Sequence, residues 1–378
     1  MNLSTVLCAC LVYGMGAVVL RSAVPQLVSP EVHPDRSVSF RVYAPNAQRV
    51  SLTLEGSPLA QLTKDAAGVW SATTAPLEPD IYAYGFLIDG QGFGDPLNPV
   101  AKPNLIWPGN LVHVPGPATL AWEVNDVPHG ELHRHFYRSA VAHDDRDYWV
   151  YTPPGYAPGS ARRYSTLYLL HGFSDEANGW TAVGRANVIL DNLFARHQAQ
   201  PMVVVMPLCY GSAKIVEIGR QGGGNMHAGG SGPVAENTRL FQQELFDEVM
   251  PRIEREYWVS SARADRAIAG YSMGGGEALQ TGLNHPDRFA WVGSFSAGGL
   301  TTDIPGTFAQ ARSEVALHPL KLLWMACGRD DSLFPVNQQI RQWLTSQGIR
   351  PVEIDTPRAH VWQVWRRNLT DFVPLLFR

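Results

Sequence analysis

Two different rhythms of apolar and polar residues run along this chain, and they divide it. Between about Pro30 and Pro117 the pattern alternates, as in Val38-Ser39-Phe40-Arg41-Val42-Tyr43, Val50-Ser51-Leu52-Thr53-Leu54 and Ala83-Tyr84-Gly85-Phe86-Leu87-Ile88. Turn pairs such as Asp89-Gly90 and Asn98-Pro99 punctuate these runs. Period-two patterning at that spacing predicts a small antiparallel β-sandwich, with one face of each strand buried. Beyond Glu123–Gly130 the apolar runs become continuous: Ser165 to Leu170, Met202 to Met206, Ala267 to Ala269, Trp291 to Gly293 and Lys321 to Met325. Strands apolar on both faces are covered on both sides, which predicts a mostly parallel sheet flanked by helices. Leu240, Phe241, Glu244, Leu245, Glu248 and Val249 show helical spacing, with Asn237 as the expected cap.

One stretch changes the picture from fold to chemistry. Gly270-Tyr271-Ser272-Met273-Gly274 follows the apolar run Ala267-Ile268-Ala269 and precedes the helix-forming Gly275-Gly276-Glu277-Ala278-Leu279. Strand, tight glycine-flanked turn and helix together predict a nucleophile elbow that holds Ser272 out of the sheet. A serine hydroxyl needs a base to remove its proton, and the base needs an acid to fix its tautomer. In this architecture the chain order is serine, acid, histidine. Downstream of Ser272 stand His285, His318 and His360. His285 falls at a helix end and His318 precedes the strand that should present the acid, so His360 is the expected base. The acid belongs at the end of the run Leu322 to Ala326, where Asp330 and Asp331 compete. Asp331 is preferred, and Asp303 and Asp355 rank behind both.

The oxyanion of a tetrahedral intermediate needs two backbone donors. The residue after the nucleophile, Met273, supplies one, and Phe173 in His171-Gly172-Phe173 is the candidate for the other. His171 itself is expected to be a structural hydrogen-bonder. Ser296, in Ser294-Phe295-Ser296-Ala297-Gly298, is a weaker rival nucleophile, since no leading glycine or following helix accompanies it. Trp180 and Trp362 flank these motifs and are candidates to line an acyl or sugar pocket, with core packing the alternative.

Composition narrows the partners. With 378 residues the chain has room for two domains and an export segment, and a net charge of −4 gives no reason to expect nucleic acid as a partner. Met1 to Leu20 contain no charged side chain and include the run Val6 to Val12, so residues 1–25 are expected to be a signal or export segment rather than a membrane anchor. That segment holds Cys8 and Cys10; the remaining pair, Cys209 and Cys327, is expected as buried thiols and is too few for a zinc site. Gly211 to Gly232 is glycine-rich but lacks Gly-Lys-Ser/Thr, which argues against a phosphate loop and leaves a mobile loop or a surface insertion.

With these motifs assembled, the second unit resembles the serine esterase family that includes esterase D and microbial feruloyl and acetyl xylan esterases. The carrying segments are Tyr168-Leu169-Leu170-His171-Gly172, Ala269-Gly270-Tyr271-Ser272-Met273-Gly274-Gly275, Ala326-Cys327-Gly328-Arg329-Asp330-Asp331-Ser332-Leu333 and His360-Val361-Trp362. The resemblance implies an α/β-hydrolase fold and places the acid on Asp331. Two departures are Phe173 and Ala359, where the family often has glycine. The first unit is similar to the early-set sandwich of carbohydrate-binding module family 48, on Phe40 to Ala47, Tyr84 to Gly90 and Asp95 to Pro99. The expected organisation is an export segment (1–25), an early-set sandwich (26–122) and an α/β-hydrolase domain (123–378).

The expectation is therefore a secreted or periplasmic serine esterase, with no cofactor or metal and no stable membrane insertion. Acylated oligosaccharide or polysaccharide, with feruloyl or acetyl groups on xylan-type glycan, is the substrate class the resemblance implies. A siderophore (ferric catecholate) esterase and a non-catalytic glycan-binding protein are the alternatives. The front module is expected to shape the pocket entrance rather than to grip glycan.

Overall fold

A computed structural model describes residues 26–221, 232–300 and 303–378. The expected export segment and residues 222–231 of the glycine-rich stretch lie outside the described residues. The front unit is a sandwich of two antiparallel sheets. One orders Glu31–Val32, Val38–Tyr43, Val69–Thr73 and Thr63–Lys64 side by side. The other runs Ala60–Gln61, Val50–Leu54, Asp80–Ile88, Gly109–Val114 and Ala101–Lys102, with Gln91–Phe93 paired to the long strand. The residues that alternate in the sequence, Phe40, Val42, Val50, Leu52, Tyr84 and Phe86, meet between the sheets.

The second unit is built on eight strands: β1 (Glu131–Arg138), β2 (Asp145–Thr152), β3 (Ser165–Leu170), β4 (Met202–Pro207), β5 (Arg266–Tyr271), β6 (Trp291–Phe295), β7 (Leu322–Gly328) and β8 (Val352–Thr356). Their order is β1-β2-β4-β3-β5-β6-β7-β8, antiparallel at β1/β2 and β2/β4 and parallel from there on. With the covering helices this is an α/β-hydrolase fold behind an all-β domain. Strands β3 to β6 are buried at every position, as continuous apolar runs require, whereas the edge strands β1 and β8 are largely exposed.

Five helices matter here: α1 (Ala186–Ala195), α2 (Pro233–Glu244), α3 (Met273–Asn284), α4 (Phe334–Ser346) and α5 (Trp362–Phe372). Helix α2 begins with Pro233 at its first turn and passes into a π-helical turn, Leu245–Val249. This corrects the expected cap: Asn237 lies inside α2, buried, and its amide donates to Glu277 Oε1 at 2.9 Å.

The two units share a polar and apolar seam. Ile81 and Leu111 of the sandwich join the core beneath α1 and α5. Beside them the Asp80 carboxylate, fully buried, receives Arg366 Nε at 2.9 Å and Arg367 Nη1 at 2.7 Å, both from α5. The front unit is thereby fixed to the helix that follows His360.

Candidate active site

The turn between β5 and α3 has room for nothing larger than glycine where its neighbours press on it. A Cβ on Gly274 would stand 2.4 Å from the carbonyl oxygen of His171, a backbone atom that cannot yield without moving its loop. Ser272 sits at the apex with φ 53° and ψ −121°, a left-handed conformation that a side-chain-bearing residue adopts only under constraint. Its amide donates to Phe295 O at 2.9 Å and its carbonyl accepts from Gly276 and Gly298 at 3.1 and 2.8 Å, so the strain is held from three sides.

His360 arrives from the loop between β8 and α5. Its Nε2 is 2.8 Å from Ser272 Oγ and its Nδ1 is 2.8 Å from Asp331 Oδ2. An ionised carboxylate only accepts, so Nδ1 carries the proton and Nε2 is left to accept from the serine hydroxyl. Asp331 follows β7 and is 3% exposed. Burial pushes its pKa up, but hydrogen bonds from His360, the Leu333 amide and the Ser296 hydroxyl outweigh burial and hold it below the usual range. The other candidate acids stand elsewhere: Asp330 is exposed, Asp355 pairs with Arg341 at 2.6 Å and Asp303 caps the short helix Ile304–Thr307. His285 and His318 end helices, as their sequence context suggests.

Ser296 has a different place from the one its sequence context offered. It is fully buried, with φ 53°, and its hydroxyl bonds Asp331 and lies 3.4 Å from Trp365 Nε1. It braces the acid instead of facing a substrate.

The loop 171–175 crosses directly over the elbow. A Cβ on Gly172 would lie 3.2 Å from that of Ser272. Among the described residues, neither the Phe173 nor the Met273 amide is engaged by a backbone carbonyl. His171 is buried and neutral: burial lowers its pKa to about 4, Nδ1–H donates to Gly172 O at 2.8 Å, and Nε2 accepts from Cys209 N at 2.9 Å. Cys209 and Cys327 are both free, buried thiols, and burial pushes Cys327 up to about 12.

Trp180 and Trp362, expected to line a pocket, are 0% and 3% exposed. They pack edge-to-face on each other, with Trp180 edge-on to Tyr271 and Trp362 tilted against it, and so take the core-packing alternative, as the aromatic wall behind the elbow. The sequence pattern also gave no hint of the side chains that tie the elbow to its surroundings. The Tyr271 hydroxyl donates to Asp175, which also accepts from Asn104 Nδ2 at 2.7 Å. Asn104 belongs to the front unit, 71 positions earlier in the chain, and no local pattern marks it. The same segment carries Trp107, 60% exposed and edge-to-face with Phe173. Among the described residues no group of three His, Cys, Asp or Glu side chains could hold a metal ion.

Comparison with known proteins gives the chain's family and its relatives in fold. Residues 139–375 match the family described as "Putative esterase". The chain belongs to that esterase family. Residues 28–104 match carbohydrate-binding module 48, the isoamylase N-terminal domain. Among curated relatives of this esterase, an endo-1,4-beta-xylanase/feruloyl esterase of Xylanibacter ruminicola is 29% identical over 356 residues, covering 92% of this chain and 46% of that protein. The chain thus spans about half the length of that relative. Two solved structures share its fold. A ferulic acid esterase from Anaeromyces mucronatus aligns with a TM-score of 0.56 at 20% identity, over 69% of this chain and 96% of that one. The enterobactin esterase of Shigella flexneri aligns with a TM-score of 0.63 at 17% identity, over 89% and 92%, a match long enough to include the sandwich.

Proposed function

We propose that this protein is a serine carboxylic-ester hydrolase that removes acyl groups, feruloyl or acetyl, from xylan-type carbohydrate. The observation that carries the reading is the unbroken line Ser272 Oγ, His360 imidazole, Asp331 carboxylate, with 2.8 Å at both steps. Ser272 Oγ attacks the ester carbonyl as its proton passes to His360 Nε2. The Phe173 and Met273 amides stabilise the resulting oxyanion. Its collapse expels the sugar oxygen, which takes the proton from Nε2 and leaves as the free hydroxyl. Water then adds to the acyl-enzyme, gives its proton to the same nitrogen, and the second collapse releases the acid and restores Ser272. Asp331, held low, stays ionised throughout and stabilises the imidazolium. No step calls for a cofactor.

The carbohydrate substrate is supported by the relative from Xylanibacter ruminicola, whose name includes feruloyl esterase and whose similarity runs through 92% of this chain. The ferric catecholate reading is favoured by one observation, the likeness to the enterobactin esterase across both units. Initial rates on feruloylated and acetylated xylo-oligosaccharides, and on a ferric catecholate triester, separate the two. We expect acid release from the sugar esters, and Ser272→Ala should lower it by at least about 10³-fold while the protein stays folded. Hydrolysis confined to the catecholate would replace the substrate class, and wild-type protein inert on all three would remove the reading.

The proposed organisation is a sandwich (26–122), a catalytic unit (123–378), and residues 1–25 acting as an export segment that delivers a secreted or periplasmic enzyme. Among the described residues no helix is long and apolar enough to cross a membrane. Sequencing the N-terminus of protein recovered outside the cytoplasm should find residues 1–25, or most of them, removed.

A further inference from the structure

Helix α5 starts two residues after the proposed base, and it starts without a cap of its own. The N-cap position is Val361, extended at φ −141° and ψ 155°, whose side chain has no acceptor. The first amides of a helix have no partner inside it, and an oxygen must come from elsewhere. Here it comes from the other unit: Glu55, which directly follows the sandwich strand Val50–Leu54, accepts from Trp362 N at 2.7 Å through Oε1. The two residues are 307 positions apart.

Glu55 is itself held rigidly. Its Oε2 accepts from Ala83 N at 3.1 Å and from Gln363 Nε2 at 3.4 Å, while its own amide donates to Ala83 O at 2.8 Å. A carboxylate so fixed stops the last turn of the His360 loop from sliding along the α5 axis. Earlier in the loop, Asp330 N donates to Arg358 O at 3.2 Å and the Arg358 guanidinium pairs with Glu78 at 3.4 Å. Ala359 and Arg358 lie over Gly328, and Arg358 has φ 82°. From His360 the chain reaches Trp362 through one intervening residue, so a shift of the helix start is passed almost undiminished to the imidazole.

We propose that Glu55 is a positioning residue for the hydrolase site, through which the front sandwich sets the reach of His360 Nε2 to Ser272 Oγ. This inference rests on the proposed esterase reading and adds a duty for the front unit that needs no glycan contact. Burial pushes the Glu55 pKa up against the opposing pull of Arg366 and of the two amides. Three N–H donors converge on its two oxygens, so the contact needs an acceptor on each side, and the amide isostere, which supplies one, is informative.

The test compares full-length variants on a 4-nitrophenyl acyl ester, with KM and kcat determined separately well below the onset of melting. Glu55→Ala should lower kcat by about 10- to 100-fold with KM changed less than about threefold, the penalty expected of a small misplacement at a reacting pair. Glu55→Gln, which keeps one acceptor for Trp362 N but turns an amide NH2 toward Ala83 N, should recover kcat in part and stand above Glu55→Ala. Glu55→Asp, which keeps the charge but withdraws it by one methylene, should not. Val38→Ala, a cavity in the sandwich core cluster, which includes no residue of α5, should cost stability and leave kcat unchanged. If Glu55→Ala does not fold, Glu55→Asp against Glu55→Gln decides by the same ordering. A Glu55→Ala or Glu55→Asp enzyme with wild-type kcat overturns the proposal, as does a kcat loss shared equally by Val38→Ala. Wild-type protein without esterase activity would instead overturn the esterase reading, and with it the duty assigned to this residue.

Discussion

Cutting the ion pair that joins the two units should be the costliest single change outside the site. Asp80 and Arg366 have fully buried side chains. Replacing Asp80 by Ala takes away the acceptor of Arg366 Nε, the nearer carboxylate of Arg367 Nη1 and a bond from Ile81 N. Arg366 keeps carbonyl acceptors on Val183 and Ile81, so its donors are mostly satisfied, but its hydrogen-bonded counter-charge is gone and only the attraction of Glu55 remains. Breaking a buried pair from one side costs about 3–5 kcal/mol. Arg367 is 31% exposed and can turn to water, so its share is about 0–1 kcal/mol. We expect Asp80→Ala to lose about 4 kcal/mol in urea unfolding followed by tryptophan fluorescence. Arg366→Met in the same background should return much of that loss, because it removes the stranded charge, with a coupling of about 2–3 kcal/mol. If the curve splits in two, the sandwich should melt first, and the comparison is then made on that transition. A loss below about 1 kcal/mol, or additive single and double variants, would refute the claim that this buried pair is an energetically coupled joint.

Three other outcomes follow from the site's geometry. Asp331→Asn should lower kcat by about 10³- to 10⁴-fold with little effect on folding, because an amide no longer holds the imidazole tautomer that accepts from Ser272; steady-state kinetics check it. Gly276→Ala would ordinarily gain about 1 kcal/mol in a helix. Its Cβ, however, would stand 2.0 Å from Gly298 O, so a net loss of about 2 kcal/mol and a fall in activity should appear in melting and rate measurements. His171, held neutral in the folded state with a pKa of about 4, must be compared with about 6.5 when unfolded. Its folded value is lowered, so the unfolded chain binds the extra proton and stability falls as pH drops from about 6.5 toward 4. At pH 5 the contribution is about 2 kcal/mol, and His171→Asn should flatten that part of a stability–pH profile measured by urea titration.

What the sequence disclosed follows the range of the interactions involved. Continuous apolar runs in β3 to β6 announced strands buried on both faces, and the alternation in Val38–Tyr43 and Val50–Leu54 announced a sandwich, because periodicity is set within a few residues. The elbow was legible for the same reason: Gly270, Ser272 and Gly274 record a close approach of neighbouring backbone. Likeness to a family favours Asp331 over Asp330, yet no local pattern separates two adjacent carboxylates whose difference is burial. Trp180 and Trp362 stayed open between pocket and core because an aromatic residue beside a motif reads the same whether it faces a ligand or a wall. Asn237 misled because a residue fit to cap a helix is also fit to bond a buried carboxyl, here Glu277. Glu55, Asn104 and Asp80 gave no sign at all. Each acts across a gap of dozens to hundreds of residues, and one polar side chain among many in a β-rich segment carries no period.

Those three side chains share one property that bears on how the molecule is built. Each belongs to the front sandwich, and each ends on a different part of the hydrolase unit: Glu55 on the start of α5, Asp80 on its middle, Asn104 on the loop that passes over the elbow. A module attached only to fetch substrate needs a linker and a modest interface, and relative motion is then the default. Here the seam contains a fully buried ion pair and a helix cap taken from the other unit, both of which leave costly orphans when separated. The sandwich therefore acts as part of the scaffold on which the histidine loop and the loop over the elbow are set, and any contact it makes with substrate is made from a fixed position beside Phe173.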